Sequence, residues 1–238
     1  MPTTRATTAP KDDSPPAEQQ LAPPTTPVTV KPTNFLFVKR DSGAIRGTYV
    51  IDPRIKIPRS MLPPLAAGET EATRQNLFLD TNSGSIDVDI SVLGDTNTKR
   101  SVNMSLRCSD YGSITVKLHV ASTARPPIYI QAKTIKDSGR ITLHLPRTFR
   151  GPVTIKQTSK GDPLWGRISI GISEHLMAGM MPLSEANGTW HYFVGTPEGW
   201  TDDGKWEGDA ACLESGGNVR LQYDGEPDPP ASSSCLVC

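Results

Sequence analysis

Residues 82–90 read NSGSIDVDI, a polar turn followed by strict alternation of apolar and acidic side chains. Successive side chains of a strand point to opposite faces, so Ile86, Val88 and Ile90 share one face and Asp87 and Asp89 take the other. The unit recurs. DSGAI starts at Asp41, DYGSI at Asp110 and DSGRI at Asp137, with a looser GGNV at Gly216. Each full copy places a turn-forming Asp or Asn two residues before a Gly, then one residue, then Ile. The Gly suits a position of positive φ, and the Asp or Asn side chain can bond nearby backbone. Alternation follows again in Ile114, Val116, Leu118 and Val120, in Ile141, Leu143 and Leu145, and in Val219, Leu221 and Tyr223. It precedes a turn in Val102, Met104, Leu106 and Cys108, which puts Cys108 in the core as a small hydrophobe.

The turn glycines fall at 43, 84, 112, 139 and 217, so the middle intervals are 28 and 27 residues. Fixed periods of this size mark stacked repeat units. The gap of 78 after Gly139 would hold nearly three more. One eroded copy is read in QTSKGDPLWGRISI, with Gly161 as the turn and Ile168 and Ile170 as the strand. Two all-β architectures fit. In a β-solenoid each unit is a coil, and the apolar faces stack into one interior. In an antiparallel β-sandwich each turn joins hairpin neighbours. The even spacing favours the solenoid. Helical periodicity is confined to ISEHLMAGMM, residues 172–181.

The ends read differently. In the first 32 residues, 15 are Pro or Thr and few are large and apolar, so the segment cannot offset its ordering entropy by burial. Residues 1–33 are therefore expected as a disordered arm, 34–226 as one all-β repeat domain, and 227–238 (PDPPASSSCLVC from Pro227) as a flexible tail. The 25 basic and 25 acidic residues cancel, which removes the electrostatic case for nucleic acid. No secretory signal is read at the N-terminus, and no apolar stretch is long enough to span a bilayer. An intracellular, cytoplasmic location with reduced cysteines is expected.

The stretch 34–226 resembles a fungal family of unknown function. The likeness rests on GTYVIDP from Gly47, IPRSMLPPLAAGE from Ile57, the NSGSIDVDI unit and FVGTPEGWTDDGKWEGD from Phe193. More distantly, the turns resemble the Asn-Gly-x-Ile/Val units of putative-adhesin β-solenoid domains, with Ser-Gly or Tyr-Gly here in place of Asn-Gly. The resemblance implies the fold and carries no catalytic residues across.

Enzymatic signatures fail one by one. A glycosidic site needs two carboxylates at a defined separation. In the repeat register, Thr48, Asp89, Lys117, His144 and Gln222 share one outward position, and Arg46, Asp87, Thr115, Thr142 and Arg220 another. No second acid stacks on either Asp, so the pattern reads as ordinary cross-strand stabilisation on a solvated face. The histidines at 119, 144, 175 and 191 lack metal-ligand spacing, and Asp202, Asp203 and Asp209 lack the pattern of a calcium loop. Neither a nucleophile elbow nor a phosphate loop occurs. No cofactor and no metal are expected, and the domain reads as a non-enzymatic interaction or scaffold module with a protein partner. The alternatives are a carbohydrate-binding or adhesin-like module and a divergent solenoid hydrolase.

Two features remain as candidate sites. Trp190, Trp200 and Trp206 crowd a Gly-rich stretch, and they either bind a ligand or cap the open end of the stack. The chain closes on Cys235, Leu236, Val237 and Cys238, a Cys followed by two aliphatics and a terminal residue. That is the context of prenylation on Cys235. A single lipid without a polybasic patch would give weak membrane association.

Overall fold

Ile45, Ile86, Ile114, Ile141, Val219 and Ile170 stand side by side in one inward-facing column, each paired in parallel with the next. This column follows directly from the turn-strand repeat. The structure, a computed structural model, describes residues 30–65, 68–71, 73–94, 100–136, 138–158, 169–200 and 205–227. The proposed disordered arm lies almost wholly outside the described residues, as do most of the tail, Gly161 and Ile168.

Strands alternate between two sheets. β1 (Leu36–Ser42), β3 (Leu77–Ser83), β5 (Val102–Cys108), β7 (Ile128–Thr134) and β9 (Gly151–Gln157) enter an eight-stranded sheet. β2 (Ile45–Ile51), β4 (Ile86–Val92), β6 (Ile114–Val120), β8 (Ile141–Leu145) and β10 (Ile170–Ile172) enter a six-stranded one. The turns at Gly43, Gly84 and Gly112 are thus corners between sheets, and consecutive coils pair in parallel. The antiparallel sandwich is set aside, because a hairpin turn would place β3 beside β4 in one sheet. The inward residues of both sheets form one buried cluster. Each large side chain in it contributes roughly 1.5–3 kcal/mol by leaving water.

The turn glycines serve two purposes. Gly43 sits at φ +88°, in the left-handed region that favours glycine. Gly112 does not; a Cβ there would lie 1.7 Å from the Gly84 carbonyl oxygen of the coil below. Stacked corners, rather than φ alone, require glycine in that copy. Cys108 is fully buried, as its place in the alternation implies, but it also acts as a donor: its thiol bonds the Gly84 carbonyl at 2.8 Å. Thr81 does the same to Gly43 and Ser215 to Gly139. Two hydroxyls and one thiol therefore tie the ends of β3, β5 and β13 to a neighbouring corner, and Thr134 at the end of β7 bonds Ser215.

The chain leaves sequence order after β10. The short helix α1 (Glu174–Ala178), N-capped by Ser173, leads into an antiparallel hairpin of β11 (Met180–Ala186) and β12 (Thr189–Val194). Asn187 and Gly188, both at positive φ, make its turn. The 78-residue gap thus holds one coil, a helix and a hairpin instead of three units. The last two strands, β13 (Ala210–Ser215) and β14 (Val219–Tyr223), then insert within the stack, ahead of its last coil. β13 lies between β7 and β9, and β14 between β8 and β10.

One buried ion pair holds that insertion. Asp209, one residue before β13, takes both guanidinium nitrogens of Arg125 at 2.6 and 2.7 Å, and both side chains are 6% exposed. Its carboxylate also accepts from the backbone N–H of Ile128, which opens β7, and of Arg150, just before β9. A single carboxylate therefore bridges the two strands that flank the slot.

Candidate functional site

Outward positions of the eight-stranded sheet fall into rows. One row is charged: Asp80, Arg107, Lys133, Glu214 and Lys156, with Lys133 and Glu214 2.6 Å apart. Another, near the opposite strand ends, is apolar: Tyr129, Ala210, Pro152, Phe193 and Met181 run across five adjacent strands. Phe193 points outward yet is fully buried, because Trp200 and Trp206 lie over it at ring-centroid distances of 5.5 and 5.0 Å. The Trp206 indole N–H donates to the Asp209 carbonyl, which fixes the cover to the inserted coil.

The three tryptophans do not act together. Trp190 pairs with Ile155 and packs against the core, on the inward face of β12 near the end of the stack. Trp200 and Trp206 are outward and in mutual contact. Around them Trp200 stays 40% exposed, Tyr129 42% and Met181 39%. The end strand β11 is blunted as a pairing edge by Pro182 and by a register shift between Pro182 and Ser184. Its backbone is thereby a poor template for another strand, and the apolar row is the sticky feature of this end.

The six-stranded sheet carries a polar cleft of about 630 Å³, lined by Thr48, Asp89, Lys117, His119, His144 and the turn 224–227. The sequence register holds: Thr48, Asp89, Lys117, His144 and Gln222 pair in that order. The face is less solvated than its alternation implies. His144 and Gln222 are buried, and the Gln222 amide lies 3.2 Å from His144 Nδ1. A second acid is also present, contrary to the sequence expectation. Asp224 Oδ2 lies 2.7 Å from His119 Nδ1, while Asp89 Oδ1 lies 3.6 Å from Nε2 of the same ring. His119 and Asp224 each stand seven residues after a turn Gly, and the matching residue of the coil between them is Pro146, just past the end of β8. Carrying the register analysis two residues further would have found the pair.

Other sequence candidates are placed as follows. Asp209 is committed to Arg125, while Asp202 and Asp203 lie outside the described residues, as does Cys235. Among the described residues no group of three or more ligating side chains could hold a metal ion. Burial pushes the thiols of both Cys108 and Cys212 up, which keeps them protonated and poorly nucleophilic near neutral pH. Among the described residues no helix is long and apolar enough to cross a membrane.

Comparison with known proteins adds one match. No curated protein and no solved structure is significantly similar to the chain. Residues 34–226, the whole of the two-sheet stack, match the family described as Domain of unknown function (DUF7330), and the chain belongs to that family.

Proposed function

We propose that this is a non-enzymatic interaction domain that docks a protein partner on the outward face of its eight-stranded sheet. The observation that carries the proposal is the apolar row from Tyr129 to Met181, which crosses five adjacent strands; the next outward row runs through Ser105, Gln131, Cys212, Thr154 and His191 and is aromatic only at its far end, where Phe37 stacks on Phe78. Trp, Tyr and Met are enriched at protein interfaces, and Trp and Tyr bury large area at low entropic cost. The charged row at the other strand ends has three bases, Arg107, Lys133 and Lys156, against two acids, Asp80 and Glu214, a slight excess that favours a partner with an acidic flank. Hydrolysis is the weaker alternative. Glycosidic chemistry needs one carboxyl group protonated and one ionised, set apart by different environments, and Asp89 and Asp224 instead share a single imidazole. We place the protein inside the cell, tethered weakly to membranes by prenylation of Cys235.

Two experiments test this. Tyr129→Ala and Trp200→Ala are compared with wild type as full-length baits. Loss of a partner retained by wild type, with thermal stability within about 1 kcal/mol, supports docking. A large stability loss for Trp200→Ala with the partner still bound makes the tryptophans a cover and sinks the proposal. For the tether, intact mass of the C-terminal peptide and fractionation are compared between wild type and Cys235→Ser. An unmodified peptide ending in Cys238, with identical fractionation, removes the lipid.

A further inference from the structure

We propose that the polar cleft on the six-stranded sheet binds a neutral polyhydroxylated ligand of the carbohydrate class. This site lies on the opposite sheet from the apolar row, so it stands or falls independently of the protein-docking proposal. The cleft is within the size range of small-ligand sites, at about 630 Å³, and every lining residue except Gly225 and Pro227 carries a polar group, alongside apolar surface from their stems. Its groups are also held in place before any ligand arrives. His119 bonds Asp224 at 2.7 Å and has Asp89 3.6 Å from its other nitrogen, and buried Gln222 bonds His144. The turn 224–227 that walls the cleft is itself fixed. Glu226 accepts the Tyr223 backbone N–H at 3.0 Å, and the Asp224 N–H donates to the Leu145 carbonyl at 2.8 Å. Preorganised polar groups lose little entropy on binding, which distinguishes a site from a solvated charge ladder.

The class of ligand follows from which groups are already engaged. Both carboxylates face His119, yet each keeps lone pairs toward the cleft, being 46% and 30% exposed. Lys117 forms no ion pair among the described residues, although Asp89 is its register neighbour. The cleft therefore presents acceptors and a cationic donor side by side. A hydroxyl satisfies both, since it donates to a carboxylate and accepts from an ammonium. An anion would meet two carboxylates at short range. The ammonium of a zwitterion such as an amino acid would compete with His119 and lie close to Lys117. A row of hydroxyls has neither conflict.

The test is a titration of the full chain, followed by NMR of the histidine side chains. The probes are D-glucose, D-galactose, D-mannose and their 1,4-linked dimers, with glycine and γ-aminobutyrate as zwitterions. The expected result is saturable shifts at His119 and His144 with at least one neutral sugar. Lys117→Met and Asp89→Ala should each weaken that binding by about tenfold or more, the order expected for one charge-assisted hydrogen bond. Arg46→Ala, on the same face but outside the cleft, should leave it unchanged. Both cleft variants remove solvated side chains, so their melting curves should match wild type. The proposal is overturned if no sugar saturates these shifts, if a zwitterion binds more tightly than every sugar, or if the cleft variants bind like wild type.

Discussion

Asp209→Ala should destabilise the domain by about 3–5 kcal/mol, the loss typical when one partner of a buried ion pair is removed. Four donors converge on this carboxylate: two guanidinium nitrogens of Arg125 and the backbone N–H groups of Ile128 and Arg150. Without it Arg125 is left as a buried charge, and the N–H groups that open β7 and precede β9 lose their acceptor. Asp209→Asn keeps an acceptor but not the charge, and should fall between wild type and alanine. The damage should be local at first. Hydrogen exchange should accelerate in β13 and β14, then in β7 and β9, before it does in β1 to β4. Urea denaturation gives the total, and exchange gives the order. A loss for Asp209→Ala below about 1 kcal/mol would mean that strand pairing alone seats the inserted coil.

Ile114→Asp should abolish folding outright. Ile114 is fully buried in the column between Ile86 and Ile141, and an isolated carboxylate cannot be solvated or paired there. Lys117→Ala, three residues on and outward, should change stability by less than about 1 kcal/mol. Circular dichroism and thermal melts of the two variants decide the matter. Comparable effects at both positions would contradict the assignment of inward and outward faces.

The column was legible because its cause is local. Period-two alternation after each turn fixes the inward face, and even turn spacing fixes which residues stack, so Thr48 through Gln222 fell into the right row. The order of coils was not legible. GGNV looks like one more copy of the turn, and nothing within it says that β14 pairs with β8 on one side and β10 on the other. That choice is made by Asp209 and Arg125, 84 residues apart in sequence, whose meeting has no short-range signature. The hairpin had a signature that was passed over: Asn187-Gly188 flanked by extended segments is a strong two-residue turn signal. His119 and Asp224 were missed for a different reason. His119 is on β6 and Asp224 just past the end of β14, two strands separated by β8, so the pair is not a register neighbour.

The inserted position of β13 and β14 also constrains synthesis. A polypeptide made from its N-terminus can stack β1 through β8 in order, but β9 and β10 then emerge before the coil that must separate them from β7 and β8. At about 5–20 residues per second, some seconds pass between completion of β9 and of β14. During that time the chain either holds the slot open or pairs β9 with β7 and must undo the error. Most repeat arrays shorten gracefully when translation stops early, because each unit touches only its neighbours. A premature stop before Ala210 would instead remove an internal coil of this one, leaving β7 and β9, and β8 and β10, with unpaired edges facing each other.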